Sequence, residues 1–267
     1  MTDFEVVKAQ QQRMWAAGDF AMIGWNTAYP GELLCEAARL RAGERVLDVA
    51  CGSGNAALSA ARRLCNAVGV DYVPALIERA RERATVERLP AQFDVADCEA
   101  LPFPDGAFDV VMSIYGSMFA PNQEHAAKEL LRVCRRGGRI ALGNWTPESF
   151  WGQTFALNAR YLPPPAGLPS PTLWGTHARL RALFADAVGD MEITPRWAQF
   201  RFRDSAHWVE VFSRYFGPVM RVLDALDAER RGHYLTELHG ILNRFNRSGD
   251  SSLLVSAEYL EVVCRKL

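Results

Sequence analysis

The chain has 267 residues, 49% of them apolar and 23% charged, enough to bury a sizeable core in one large α/β domain. Its 30 basic and 31 acidic residues leave a net charge of −1. That balance provides no basic field for a phosphate backbone and argues against nucleic acid as a partner.

The first residues, MTDFEVVKAQQQRMW, place acids and glutamines where a secretory signal needs a basic and then an apolar run. No stretch approaches the length of a membrane span. The six cysteines are scattered without a CxxC pair, which disfavours a zinc ribbon and points to buried free thiols in a reducing cytoplasm.

In chain order, residues 3–17 read as an amphipathic helix stopped by Gly18-Asp19, and 31–41 as a second helix closed by Gly43. Alternation follows. Strands are expected at 45–50, 67–71, 91–95, 108–114 and 138–143, with helices at 55–64, 74–88 and 123–134 between them. Short apolar strands separated by helices imply a parallel sheet covered on both faces. After Gly143 the prolines at 163–165, 169 and 171 break the chain, and aromatic residues gather around them. Residues 190–203 look extended, 205–247 helical, and 251–265 read as one long closing strand. The organisation is therefore a single domain over 1–267. It comprises N-terminal helices (1–42), a core (43–144), additions covering the sheet's ligand edge (145–250) and a last strand (251–267).

The most informative segment is Val46–Asn55, in which a strand runs into a turn of small residues ahead of a helix. Gly52 and Gly54 admit a ligand close to the backbone, and the helix start beyond offers unpaired N–H groups. Asp71 closes the second strand, where a ribose is held in such sheets, and its two oxygens suit both ribose hydroxyls. Asp97 follows the third strand. Three acids at successive strand ends, with Asp48 the first, mark the ligand-binding edge.

The runs RVLDVACGSGNAAL, VGVDYVPALIERARERA, DVADCEALPFPDGAFDVVMS and ELLRVCRRGGRIALGNWTPESF resemble the class I S-adenosylmethionine-dependent methyltransferases. They resemble in particular the small-molecule branch related to ubiquinone- and menaquinone-biosynthesis C-methyltransferases. The likeness covers about residues 40–150. It implies a Rossmann-like sheet of seven strands, mostly parallel with the last antiparallel, and S-adenosylmethionine as the methyl donor. Position by position, it implies that Asp48 faces the methionine amino group, while Ala50, Cys51, Gly52 and Gly54 line the methionine by backbone. Asp71 would hold the ribose, Tyr72 would pack on adenine, Asp97 would accept from the adenine amino group, and the Cys98 N–H would meet a ring nitrogen. Ser113 to Tyr115 would lie beside the sulfonium. The family's first loop glycine is Ala50 here. Trp15, Gly18, Phe20 and Ile23 resemble a segment that closes over the cofactor, and also fit a helix packed on the core.

A sulfonium methyl is electrophilic without further activation, so alignment supplies most of the catalysis, about 7–11 kcal/mol of the barrier. No obligate catalytic side chain is required. His125, His207 and Tyr115 are the candidates for a base, and no histidine shares metal-ligand spacing with acids or cysteines, so no metal site is expected. Tyr115, Met118, Phe119 and Trp145 fit an apolar acceptor pocket or ordinary core. The aromatic run from 145 to 216 suits a lid over a small apolar or aromatic acceptor, or a homodimer interface. Two rivals stand beside methyl transfer: a methyltransferase-like protein that binds without catalysis, and an NAD(P)-dependent oxidoreductase. The second lacks an intact GxGxxG and has no use for Asp97.

Overall fold

A computed structural model describes residues 4–267. Three helices, α1 (Phe4–Ala16), α2 (Ala21–Gly24) and α3 (Ala28–Ala37), precede the first strand, β1 (Arg45–Val49). The alternation expected from the apolar runs then follows: α4 (Asn55–Arg62), β2 (Asn66–Asp71), α5 (Pro74–Glu87), β3 (Gln92–Val95), β4 (Phe108–Ile114), α6 (Gln123–Val133) and β5 (Cys134–Trp145). Beyond them come α7 (Phe150–Tyr161), α8 (His177–Phe184), β6 (Val188–Phe202), α9 (Ser205–Tyr215), α10 (Gly217–Ala225), α11 (Ala228–Phe245) and β7 (Leu253–Lys266).

The seven strands lie in the order β3-β2-β1-β4-β5-β7-β6. β1 to β5 pair in parallel, and β7 runs antiparallel between β5 and β6. The chain reverses direction outward from β1, so the carboxyl ends of β1 and β4 flank the crevice in which such sheets receive ligands. Alternate residues serve opposite faces. Val46, Val110, Met112 and Ala141 pack beneath α3 and α4, while Leu47, Val49, Val111, Ile140 and Leu142 pack towards α6.

Three differences from the sequence reading have local causes. β5 starts at Cys134 rather than at 138, because the Arg136-Gly137-Gly138 turn is a bulge inside it. The pairing steps from Phe108↔Cys134 to Val110↔Arg139, and Gly137 takes φ +68°. Residues 150–161 form a helix, capped by the Ser149 hydroxyl accepting from the Gly152 N–H. Residues 188–202 join the sheet as its edge strand, so the stretch from 145 to 250 adds to the sheet as well as to its cover. Among the described residues no helix is long and apolar enough to cross a membrane.

Candidate active site

The turn after β1 is built from residues with little or no side chain. Ala50 and Gly52 both take positive φ, and Gly54 does so at +85° as the N-cap of α4. A Cβ on Gly54 would lie 2.8 Å from the Phe93 ring, so only glycine fits there. Gly116, beyond β4, approaches the same turn from the other side; a Cβ there would lie 2.4 Å from the Ala50 carbonyl oxygen. The result is a cleft at the carboxyl ends of β1, β2 and β4, enclosing about 930 Å³ with part of it open to solvent.

Asp71 shapes this cleft. One carboxylate oxygen accepts from the Gly52 N–H at 2.9 Å and the other from the Val73 N–H at 2.9 Å. The side chain therefore braces the glycine turn and still lines the cleft. Burial pushes its pKa up to about 6, against the pull of those N–H groups.

Asp48 lies deeper, 1% exposed, and does not line the cleft. Its Oδ2 accepts from the Ala57 N–H in the first turn of α4 at 2.9 Å, whereas Oδ1 has no partner. Burial, with Asp71 adding a smaller push, raises its pKa to about 7. A buried, orphaned carboxylate oxygen behind a glycine turn is a ready acceptor for a donor-bearing ligand.

Asp97 does line the cleft, and sequence reasoning missed its partners. Its Oδ1 accepts from the Glu99 N–H at 2.9 Å, and its Oδ2 meets the Lys8 ammonium at 2.8 Å. Lys8 also reaches Glu99 at 2.8 Å, and Glu99, which is buried, accepts from the Asn122 N–H at 2.7 Å. Burial works against the Lys8 charge, but hydrogen bonds to Asp97 and Glu99 prevail and hold the ammonium above its usual range. Gln12 of α1 donates to the Tyr72 carbonyl. The first helix is thus tied to the loops after both β2 and β3. The one sequence trace of this was the helical spacing of Lys8, Gln12 and Trp15, which puts them on one face.

Of the remaining expected positions, Ala50, Cys51, Gly52, Tyr72, Cys98 and Tyr115 line the cleft, and Gly54 and Ser113 do not. Ser113 is buried, donates to the Val49 carbonyl at 2.7 Å and accepts from the Ser117 N–H at 3.0 Å, so it fastens β4 to the end of β1. Cys51 and Cys98 are half-buried in the cleft, unlike the four fully buried thiols. His125 is exposed at the start of α6. His207 accepts from the Arg203 N–H at 3.3 Å and packs edge-on to Phe202. Neither histidine reaches the cleft.

A second cavity, about 430 Å³ counting the part open to solvent, adjoins the first. Trp15, Phe20, Thr27, Tyr115 and Phe119 line both, forming the neck between them. Tyr115 is strained at φ +58° and stacks on Trp145 at 3.7 Å and 10°. Ile23 and Trp145 line the inner chamber, whereas Met118 is core and Gly18 packs under the Tyr215 carbonyl. The segment before β1 therefore both covers the cleft and packs on the core.

Residues 47–142, the span from β1 to β5, match the methyltransferase domain family. An uncharacterized protein of Mycobacterium tuberculosis is 40% identical over 213 residues, covering 78% of this chain and 77% of that one. The demethylmenaquinone methyltransferase of Deinococcus radiodurans is 32% identical over 148 residues, or 54% of this chain and 59% of that enzyme. Among solved structures, the YcgJ protein of Bacillus subtilis superposes with a TM-score of 0.62 at 19% identity, over 89% of this chain and 98% of that one, which shows a shared fold. The chain therefore carries a methyltransferase domain over residues 47–142, set in a seven-stranded sheet of the fold that its solved neighbours share.

Proposed function

We propose that this enzyme methylates a small, apolar or aromatic molecule by in-line displacement, with the donor in the outer cleft and the acceptor in the inner chamber. The observation that carries this reading is the shared neck, because it joins an acid-rimmed cleft directly to an aromatic one.

The residues present fit S-adenosylmethionine, which supplies the electrophilic methyl. Asp71 would hold the ribose hydroxyls, and the Ala50–Gly52 backbone would line the methionine. The orphaned Asp48 Oδ1 would receive the amino group, directly or through water. Tyr72 and Cys98 would flank the adenine, with Asp97 accepting from its amino group. That last role requires Asp97 to serve Lys8 and a ligand together, which a carboxylate with several lone pairs can do. The chain's contribution is alignment and exclusion of water: Trp15, Phe20 and Tyr115 close the neck around the reacting centres, in keeping with catalysis by positioning. No residue is assigned as a base.

Calorimetry with S-adenosylmethionine and with NADH, followed by radiolabelled methyl transfer to a library of apolar acceptors, tests this. Binding of the sulfonium ligand alone, with label moving to an acceptor, is the expected result. NADH binding, or cofactor binding with no transfer to any acceptor, would refute it.

A further inference from the structure

The inner chamber has a wall chemistry that bears on the acceptor. Ten of its twelve lining residues are aromatic, and the other two are Ile23 and Thr27. Among the described residues no acid, histidine, lysine or arginine lines it. Its two hydroxyls are both occupied or withdrawn. Thr27 donates to the Gly24 carbonyl at 2.8 Å and accepts from the Asn55 amide at 2.9 Å. The Tyr115 hydroxyl is buried beside Tyr259, and burial pushes its ionisation well above the usual range.

Two consequences follow for a nucleophile placed there. Nothing in the wall can take a proton from it, so an acceptor that must lose one during transfer is poorly served. No cationic side chain lines it to hold an anion either: π faces are electron-rich, the tryptophan indoles are neutral donors only, and the charged groups of the adjoining cleft are the carboxylates Asp71 and Asp97 with a Lys8 already engaged by Asp97 and Glu99. A cation, by contrast, is attracted to aromatic faces, most strongly where water is excluded.

We infer that the acceptor is a small apolar amine that enters uncharged and leaves as an ammonium ion, with the aromatic chamber stabilising the positive charge as it arrives. This rests on the methyl-transfer reading above. The amine lone pair forms the new N–C bond while the S–C bonding pair returns to sulfur. For a tertiary amine no proton moves at all, and for a secondary one the ammonium proton is lost to solvent after release. Total charge is conserved: one positive charge passes from sulfur to nitrogen through the neck formed by Trp15, Phe20, Tyr115 and Phe119. Burial also favours the uncharged amine on entry, since desolvation penalises its protonated form.

The test uses the protein loaded with S-adenosylhomocysteine, the product whose sulfur carries no charge, and three benzyl probes: benzyltrimethylammonium, its neutral isostere neopentylbenzene, and the smaller anion phenylacetate. Calorimetry is expected to show the cation binding at least about fivefold more tightly than its neutral isostere, with phenylacetate weakest. Phe119→Leu, which keeps bulk but removes a π face at the neck, should reduce that cation-to-neutral ratio about threefold. Equal or tighter binding of neopentylbenzene, preference for phenylacetate, or no binding of any probe overturns the inference, as does an unchanged ratio in Phe119→Leu. Loading with S-adenosylhomocysteine is itself measured first. If that step fails, the methyltransferase reading of the cleft is what has failed, and if only the probes disagree, the amine assignment is.

Discussion

Asp71 has two tasks, and its substitution should reveal both. It braces the Gly52 and Val73 N–H groups, and with ligand bound it would hold the ribose. Asp71→Ala is expected to weaken S-adenosylmethionine binding at least about tenfold by calorimetry, because a buried acceptor is lost. An affinity close to wild type would remove Asp71 from the site. Its titration gives a second handle. The carboxylate accepts hydroxyl donors best when ionised, so cofactor affinity should fall as pH drops through about 6. Stability of the unliganded chain moves the other way. Asp48 and Asp71 titrate near 7 and 6 when folded, above the ordinary 3.8, so the folded chain binds more protons in that interval. Stability should therefore decline as pH rises towards 7, and Asp48→Asn should flatten that decline in thermal unfolding. A wild-type profile that rises over the same range would contradict the burial of these acids. Asp48, Asp71 and Asp97 were legible in the sequence because each follows or ends a readable strand. Lys8 and Glu99 were not, since their pairing joins residues far apart in the chain and shows no local signature.

At the scale of elements, α1 is held to the sheet by its polar face as much as by packing. Lys8→Met would leave the buried Glu99 without its cation, the kind of loss that costs about 3–5 kcal/mol when complete and less here, where Asp97 is partly exposed. Hydrogen exchange should show α1 opening faster in this variant while α4 and α5 keep wild-type protection. Uniform behaviour across all three helices would mean that the Lys8 pairs do not latch α1. Gly54→Ala should destabilise the fold by about 2 kcal/mol or more, combining positive φ with the Phe93 clash. β1, β2 and β4 were read from sequence almost to the residue, because parallel strands buried on both faces leave short, largely apolar runs. The regions read less well had mixed signals. In α7 the aromatic-rich FWGQTFALNARY masks a helical period, although Ser149 was a usable cap. The β5 bulge hid its first residues behind a Gly-Gly that reads as a turn.

For the whole molecule, the aromatic enrichment beyond Gly143 proves to serve the interior. Phe150, Trp151, Trp174 and Trp208 are all buried within the chain, and Trp197 on the edge strand is the exposed exception in that stretch. That edge carries Pro195, Arg196 and Arg201, residue types that discourage strand addition. A reaction driven by a sulfonium and by alignment needs no Lewis acid, so methyl transfer should persist in EDTA; loss on chelation with recovery on adding a divalent ion would contradict it. The central claim is that acids and a glycine turn at the carboxyl edge of this sheet hold the adenosyl donor at the mouth of an aromatic chamber. A crystal structure with S-adenosylhomocysteine tests it most directly. The ribose hydroxyls are expected on Asp71 and the sulfur at the neck beside Tyr115. A ligand bound elsewhere, or one in the cleft with its sulfur turned away from the chamber, would contradict it.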